Sequence, residues 1–124
     1  MCNHMVVQSL SDEEVDRLFQ ALADRTRRDI VRRTMTDDAS VSALARSYDM
    51  SFAAVQKHVA VLERAGLVVK RRRGREQLVR CNVDTVRRAQ YLLDQLESIW
   101  RDRLDRFERL LDDDTHPRSR PTSS

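Results

Sequence analysis

Ser51-Phe52-Ala53-Ala54-Val55-Gln56-Lys57-His58-Val59-Ala60-Val61-Leu62-Glu63-Arg64-Ala65-Gly66 runs directly into Leu67-Val68-Val69-Lys70-Arg71-Arg72-Arg73-Gly74-Arg75. In the first part Phe52, Val55, Val59 and Leu62 recur at steps of three and four, which predicts a helix with that stripe buried. The other face carries Ala53, Ala54, Gln56, Lys57 and Ala60. A helix face that only meets water is normally built of Glu, Lys and Arg. Small and amide side chains suit a face that enters a groove. Gly66 stands where a helix leaves through a left-handed residue. The runs Leu67–Val69 and Gln77–Cys81 then predict two short strands on either side of a basic turn.

Upstream, Ser51 is placed to cap this fourth helix and Asp49-Met50 to form a tight turn before it. Ser40 caps a short third helix with Val41, Leu44 and Ala45 inward and Tyr48 near its end. The third and fourth helices therefore read as a helix-turn-helix, the fourth being the recognition helix by position. Asp24 caps a second helix reaching about Met35, with Ile30, Val31 and Met35 buried, and Asp37-Asp38-Ala39 is a connection. Ser11 and Glu14 make a capping box, with Leu10 and Val15 at the staple positions, for a first helix whose stripe is Val15, Leu18, Phe19 and Leu22. Residues 1–10 read as a flexible lead-in, 11–112 as one domain and 113–124 as a disordered tail.

Downstream, Asn82 or Asp84 starts a long fifth helix to about Leu111. Its apolar positions Ala89, Leu93, Leu96, Trp100, Leu104, Phe107 and Leu111 follow a near-heptad seam, widened by Leu92, Ile99 and Leu110. Glu97–Arg101 is one of several i,i+4 pairs in the favourable order. So wide an apolar face on so small a domain requires a partner, most simply a second copy of the chain. The fold expected is mainly α with a small β-hairpin: four helices, two strands and a fifth helix, the layout of a winged helix-turn-helix.

Composition sets the outer bounds. With 124 residues, 40% hydrophobic and 35% charged, the chain is a soluble domain with one modest core. Net charge is only +3, but Lys70 to Arg75 holds five basic residues in six positions while Asp112-Asp113-Asp114 is acidic. Such a local basic patch points to nucleic acid more than the total charge does. No apolar run approaches the roughly 20 residues of a membrane span, and no signal-peptide core precedes the domain. Cys2 and Cys81 form neither a disulfide framework nor a CxxC, which suits a reducing cytoplasm. A Gly-rich phosphate loop, a nucleophile elbow and HExxH are all missing, so the chain is not expected to be an enzyme.

Taken in register, Leu22-Ala23-Asp24-Arg25-Thr26-Arg27, Val41-Ser42-Ala43-Leu44-Ala45, Val55-Gln56-Lys57-His58-Val59-Ala60-Val61-Leu62, Ala65-Gly66-Leu67-Val68 and Arg72-Arg73-Gly74-Arg75 resemble the ArsR family of bacterial winged-helix transcriptional regulators. The likeness covers about Val15 to Leu111. It implies a homodimeric DNA-binding protein, usually a repressor, dimerising through its first and last helices. That places Leu18, Leu22, Leu92, Leu93, Leu96, Ile99, Trp100 and Phe107 at the dimer interface. Metal-sensing members carry Cys-x-Cys on the third helix or Asp/His pairs on the last. Here the third helix has no thiol and the last no histidine, so the chain looks most like the metal-independent branch, with no metal and no cofactor. Gln56 stands where the family often has Ser.

The candidate DNA-binding residues are Ser51, Ala53, Ala54, Gln56, Lys57, Arg71, Arg72, Arg73 and Arg75. A Gln amide can bond the N6/N7 edge of adenine, and alanines can touch thymine methyls. Lys57 suits a phosphate, as does Ser51 beside its capping role. The wing arginines suit phosphates or the minor groove. His58 reads as a packed, hydrogen-bonded residue and Cys81 as a buried small hydrophobe. Cys2 and His4 read as incidental. The function expected is that of a cytoplasmic, homodimeric transcriptional repressor binding an inverted-repeat operator in double-stranded DNA. Two alternatives stay open: a winged-helix protein–protein interaction module and a non-specific architectural DNA-binding protein. The sequence does not say whether a small-molecule inducer exists.

Overall fold

The computed structural model describes residues 10–115, with side chains to residue 112. The lead-in with Cys2 and His4, and the tail beyond Thr115, lie outside the described residues. The elements run α1 (Asp12–Leu22), α2 (Arg25–Thr36), β1 (Ala39–Ser40), α3 (Val41–Tyr48), α4 (Phe52–Arg64), β2 (Val68–Arg73), β3 (Glu76–Cys81) and α5 (Val83–Thr115). They fall into two compact units, one reaching Gln90 and one starting at Tyr91 within α5.

Each of the first four helices starts on the residue whose side chain can take an otherwise orphaned N–H. Ser11 Oγ accepts from Glu14 N–H at 3.1 Å while Glu14 Oε1 accepts from Ser11 N–H at 2.8 Å, closing the capping box. Asp24 accepts from Arg27 N–H, Ser40 from Ala43 N–H and Ser51 from Ala54 N–H, all at 3.0 Å. At the end of α4, Gly66 turns left-handed with φ +78. Leu67 N–H reaches back to Leu62 C=O and Gly66 N–H to Glu63 C=O, both at 2.9 Å, so two of the helix's last carbonyls are satisfied in a Schellman motif. α5 begins on Asn82, whose Oδ1 accepts from Asp84 N–H. It continues through Thr115, past the expected end near Leu111, because no Gly or Pro interrupts it before Pro117.

The core of the first unit gathers Leu18 and Ala21, Ile30 and Val31, Val41 and Leu44, Val55, Val59 and Leu62, then Leu67, Val68, Val79 and Cys81, with Ala89 from the start of α5. Four residues depart from the expected pattern, the first being Phe19 of the α1 stripe, which is 40% exposed. Phe52 is 49% exposed, because the first turn of α4 runs past the core and Met50 packs there in its place. Met35 is also 49% exposed, at the last turn of α2, and Thr34 is buried instead. The Thr34 hydroxyl donates to Ile30 C=O at 2.8 Å, so its burial leaves no unpaired polar group. Leu18, expected at a dimer interface, is 1% exposed within the subunit: it faces the core of its own chain and has no surface left to offer a second copy.

The sheet has three strands in the order β1-β3-β2, all antiparallel, where a two-stranded hairpin was expected. β1 pairs Ala39 with Val79 and Ser40 with Leu78, covering the outer edge of β3. It is locked from outside by Arg80, whose guanidinium donates to both Asp38 carboxylate oxygens at 2.9 and 3.0 Å. β2 and β3 pair from Val68↔Cys81 to Arg73↔Glu76, leaving Gly74-Arg75 as a two-residue turn. Gly74 has φ +63 at the first central position and Arg75 has none of that character, the pattern of a type II′ hairpin turn.

Candidate nucleic-acid interface

The recognition helix is set by the turn before it. Asp49 ends α3 in the left-handed region with φ 56, a conformation a short polar side chain tolerates. Met50 N–H closes back on Ala45 C=O at 3.2 Å, and Ser51 starts α4. With Val55, Val59 and Leu62 fully buried, the rotation of α4 is fixed. Ser51, Ala53, Gln56 and Lys57 are exposed on its outer side, and Ala54 is half-buried at the edge. Phe52 joins this outer strip, a residue that periodicity alone assigned inward. The Ser51 hydroxyl spends a lone pair on the cap and keeps its proton free to donate.

The wing is fastened to this helix. Lys70 Nζ lies 3.3 Å from Glu63 Oε1, tying β2 to the end of α4. A cleft of about 210 Å³ separates wing and helix, lined by Val41, Gln56, Val59, Ala60, Lys70 and Gln77. Gln77 Oε1 is buried there with no hydrogen-bond partner among the described residues. The hydrogen-bonding register divides the basic residues between the two faces of the hairpin, since alternate residues point opposite ways. Lys70 and Arg72 share the face of Val68, Val79 and Cys81. Arg71 and Arg73 share the opposite face with Glu76 and Arg80. Arg75 stands at the tip. All four arginines are exposed. The Asp38 carboxyl is held below the usual carboxylate range first by its bond from Arg80, then by the charges of Arg80, Arg71 and Arg73.

On the opposite side α4 is fastened to α2. Arg27 donates from Nε to Ala21 C=O at 2.8 Å and from Nη2 to Gln20 C=O at 3.1 Å, a cation closing the C-terminus of α1. Its Nη1 lies 3.3 Å from His58 Nδ1, which is itself 3.9 Å from Asp24. Asp24 sits below the usual carboxylate range, chiefly through the Arg27 backbone N–H and then through the charge of His58. His58 is thus a tie between helices, as its place near the buried stripe suggested. Cys81 is 5% exposed, and burial raises its thiol above the ordinary value.

Sequence reasoning passed over α2. Arg25, Arg27, Arg28, Arg32 and Arg33 are five arginines in its twelve residues. Arg25, Arg28 and Arg32 recur at steps of three and four, so they form a stripe rather than the contiguous run that marks the wing. Among the expected interface residues of α5, Leu93, Leu96, Ile99, Trp100 and Phe107 are exposed, Ile99 by 66%, and Leu92 is half-buried. Leu22 packs partly on the core. Among the described residues no group of three or more His, Cys, Asp or Glu side chains is placed to hold a metal ion. No helix among them is long and apolar enough to cross a membrane.

Residues 22–71 match a family model described as a helix-turn-helix domain. Over 71 residues the chain is 38% identical to the uncharacterised HTH-type transcriptional regulator YuzN of Bacillus subtilis, covering 52% of this chain and 77% of that one. An ArsR-like transcriptional regulator from Rhodococcus sp. RHA1 superposes with a TM-score of 0.75 at 29% identity, covering 82% of this chain and 93% of that one. The chain belongs to the ArsR family of winged helix-turn-helix transcriptional regulators. Another member-like relative, the HTH-type transcriptional regulator Rv2034 of Mycobacterium tuberculosis, is 48% identical over 59 residues, which span 48% of this chain and 55% of that regulator. The homodimeric winged helix-turn-helix DNA-binding domain Mb0332 of Mycobacterium bovis, a possible ArsR-family regulator, superposes with a TM-score of 0.58 at 26% identity over 73% of this chain and 89% of that one.

Proposed function

We propose that this ArsR-family protein is a homodimeric, sequence-specific DNA-binding repressor. The observation that carries the reading is the outer strip of α4: Ala53, Gln56 and Lys57 stand exposed on a helix whose rotation is fixed by its buried stripe, with an arginine hairpin beside it. Gln56 reads a base edge, Ala53 and Ala54 meet thymine methyls, and Ser51, Lys57, Arg71, Arg72, Arg73 and Arg75 meet phosphates or the minor groove. The exposed face of α5 from Leu93 to Phe107, with Leu92 and Leu22, forms the interface of a two-fold dimer. The homodimeric relative from Mycobacterium bovis supports a dimer as such. Two recognition helices related by the two-fold require an inverted-repeat operator with half-sites about one helical turn apart. Repression follows by occluding the polymerase.

Selection of bound duplexes from a random pool tests the reading, and enrichment of a palindrome is the expected result. On the selected site Gln56→Ala costs about 1–3 kcal/mol, with little loss on random DNA. Arg73→Ala weakens all sequences alike and lowers the salt dependence by about one phosphate. Equal losses for Gln56→Ala on selected and random duplexes would remove base reading from its role. Binding to every duplex without enrichment would replace the repressor with a non-specific architectural protein.

A further inference from the structure

The stripe that α2 presents borders a cleft of about 550 Å³ lined by Arg25, Thr26, Arg28, Asp29, Arg32 and Tyr48. Its charge is three guanidinium groups against one carboxylate. That carboxylate is already engaged on both oxygens: Oδ1 accepts from Arg32 at 2.8 Å and Oδ2 from the Tyr48 hydroxyl, while Arg33 stacks over the Tyr48 ring at 5.3 Å. These bonds hold the Asp29 carboxyl below the usual range, the Tyr48 hydroxyl contributing most. Each guanidinium carries five donors. Arg28 commits Nη1 to Leu22 C=O and Arg32 commits Nη1 to Asp29, whereas Arg25 has no hydrogen-bond or ion-pair partner among the described residues. The N-terminus of α2 does not itself invite an anion, because Asp24 caps it. The surplus therefore lies in side-chain donors that converge from one helix face without protein acceptors to receive them.

Position gives the surplus a use. The wing meets α4 along Gln56 and Ala60, whereas α2 meets it at His58. A helix turns about 100° per residue, so His58 lies roughly 160–200° around α4 from both of those positions. α2 thus packs on the side of α4 away from the wing, and it does so through Arg27; Arg25, Arg28 and Arg32 lie about 100–160° around α2 from that contact, on its exposed face. The major groove is about 12 Å wide and is bounded by one phosphate strand on each side. We propose that the Arg25, Arg28 and Arg32 cleft is a second phosphate site, which takes a backbone phosphate of the bound duplex outside the contacts made by α4 and the wing. The proposal rests on α4 entering the major groove as proposed above. Arg32 is pre-aimed by Asp29 and Tyr48, Arg28 is anchored on α1, and Arg25 supplies the uncommitted fork.

The test uses the full chain and the double variant Arg25→Ala/Arg32→Ala, leaving Arg28 in place because it closes α1. Duplex binding is measured by fluorescence anisotropy across a salt series, on the selected site and on random DNA, with a thermal melt to confirm that the variant folds. The expected result is about a three- to tenfold loss on both duplexes and a salt slope shallower by about one to two. A parallel arm titrates inorganic phosphate, following amide shifts at residues 25–32. Phosphate-induced shifts that disappear in the variant, with an unchanged duplex slope, would keep the phosphate chemistry and assign the site to a free phosphoanion. An unchanged slope with no phosphate response, in a folded variant of a protein that binds DNA, would overturn the site alone. Failure of the wild-type protein to bind any duplex would instead overturn the DNA reading on which it rests.

Discussion

Two amphipathic helices, α4 and the part of α5 beyond Tyr91, have similar sequence periodicity and opposite fates. α4 hides its stripe completely, with Val55, Val59 and Leu62 at 1% exposure or less, and shows small and polar residues outside. The distal α5 shows its stripe, with Leu96 at 54%, Ile99 at 66% and Phe107 at 57% exposure. For α4 the informative face is the polar one, because its apolar face is already satisfied within the subunit. For α5 it is the apolar one, because a contiguous exposed patch of this kind marks an association site. The same pattern thus argues for DNA in one helix and for a protein partner in the other.

The comparison can be broken or sharpened experimentally. The largest effect is expected at Leu62→Ala, which removes a fully buried side chain from the centre of the core and costs about 2–5 kcal/mol in urea unfolding at fixed protein concentration. A loss below about 1 kcal/mol would mean that α4 is not the keystone of the subunit. Next comes Ile99→Asp. It should raise the dimer dissociation constant about a hundredfold, or about 2.7 kcal/mol, in sedimentation experiments. A wild-type chain that stays monomeric at high concentration would break the contrast outright. The smallest effect concerns pH. The Asp24 and Asp29 carboxyls lie below their ordinary value of 3.8 in the fold. The unfolded chain therefore binds their protons first as pH falls. Stability should be full above about pH 5, then decline as pH drops through the folded values. Asp24→Asn keeps a capping side chain and should make that acid decline shallower; an identical decline would detach the charged Asp24 cap from acid stability.

Much of this was legible because it is local. Ser11, Asp24, Ser40 and Ser51 each satisfy an N–H three residues ahead, and Gly66 supplies a left-handed residue no side chain favours, so helix starts and stops could be read within a few residues. What escaped depends on distance in the fold. A two-residue strand such as β1 has no periodicity, and it exists because β3 presents an edge beside it. Phe52 and Met35 have the right phase for burial, but phase does not say where the core ends. Leu18 illustrates the reverse: α1's stripe announces burial without naming the partner, and the partner is its own subunit. In the candidate site, the contiguous wing arginines were conspicuous, whereas those of α2 acquire meaning only when Tyr48 and Asp29 are brought alongside them.

Cys81 lies on β3 opposite Val68, a free thiol walled into the same core that α4 closes. Its reagent access is therefore a clock for the core itself. With Cys2→Ser removing the other thiol, a thiol-specific dye should label Cys81 only when the sheet and α4 part. The rate of colour development would then report how often the subunit opens, with and without bound DNA, through a thiol the chain already carries.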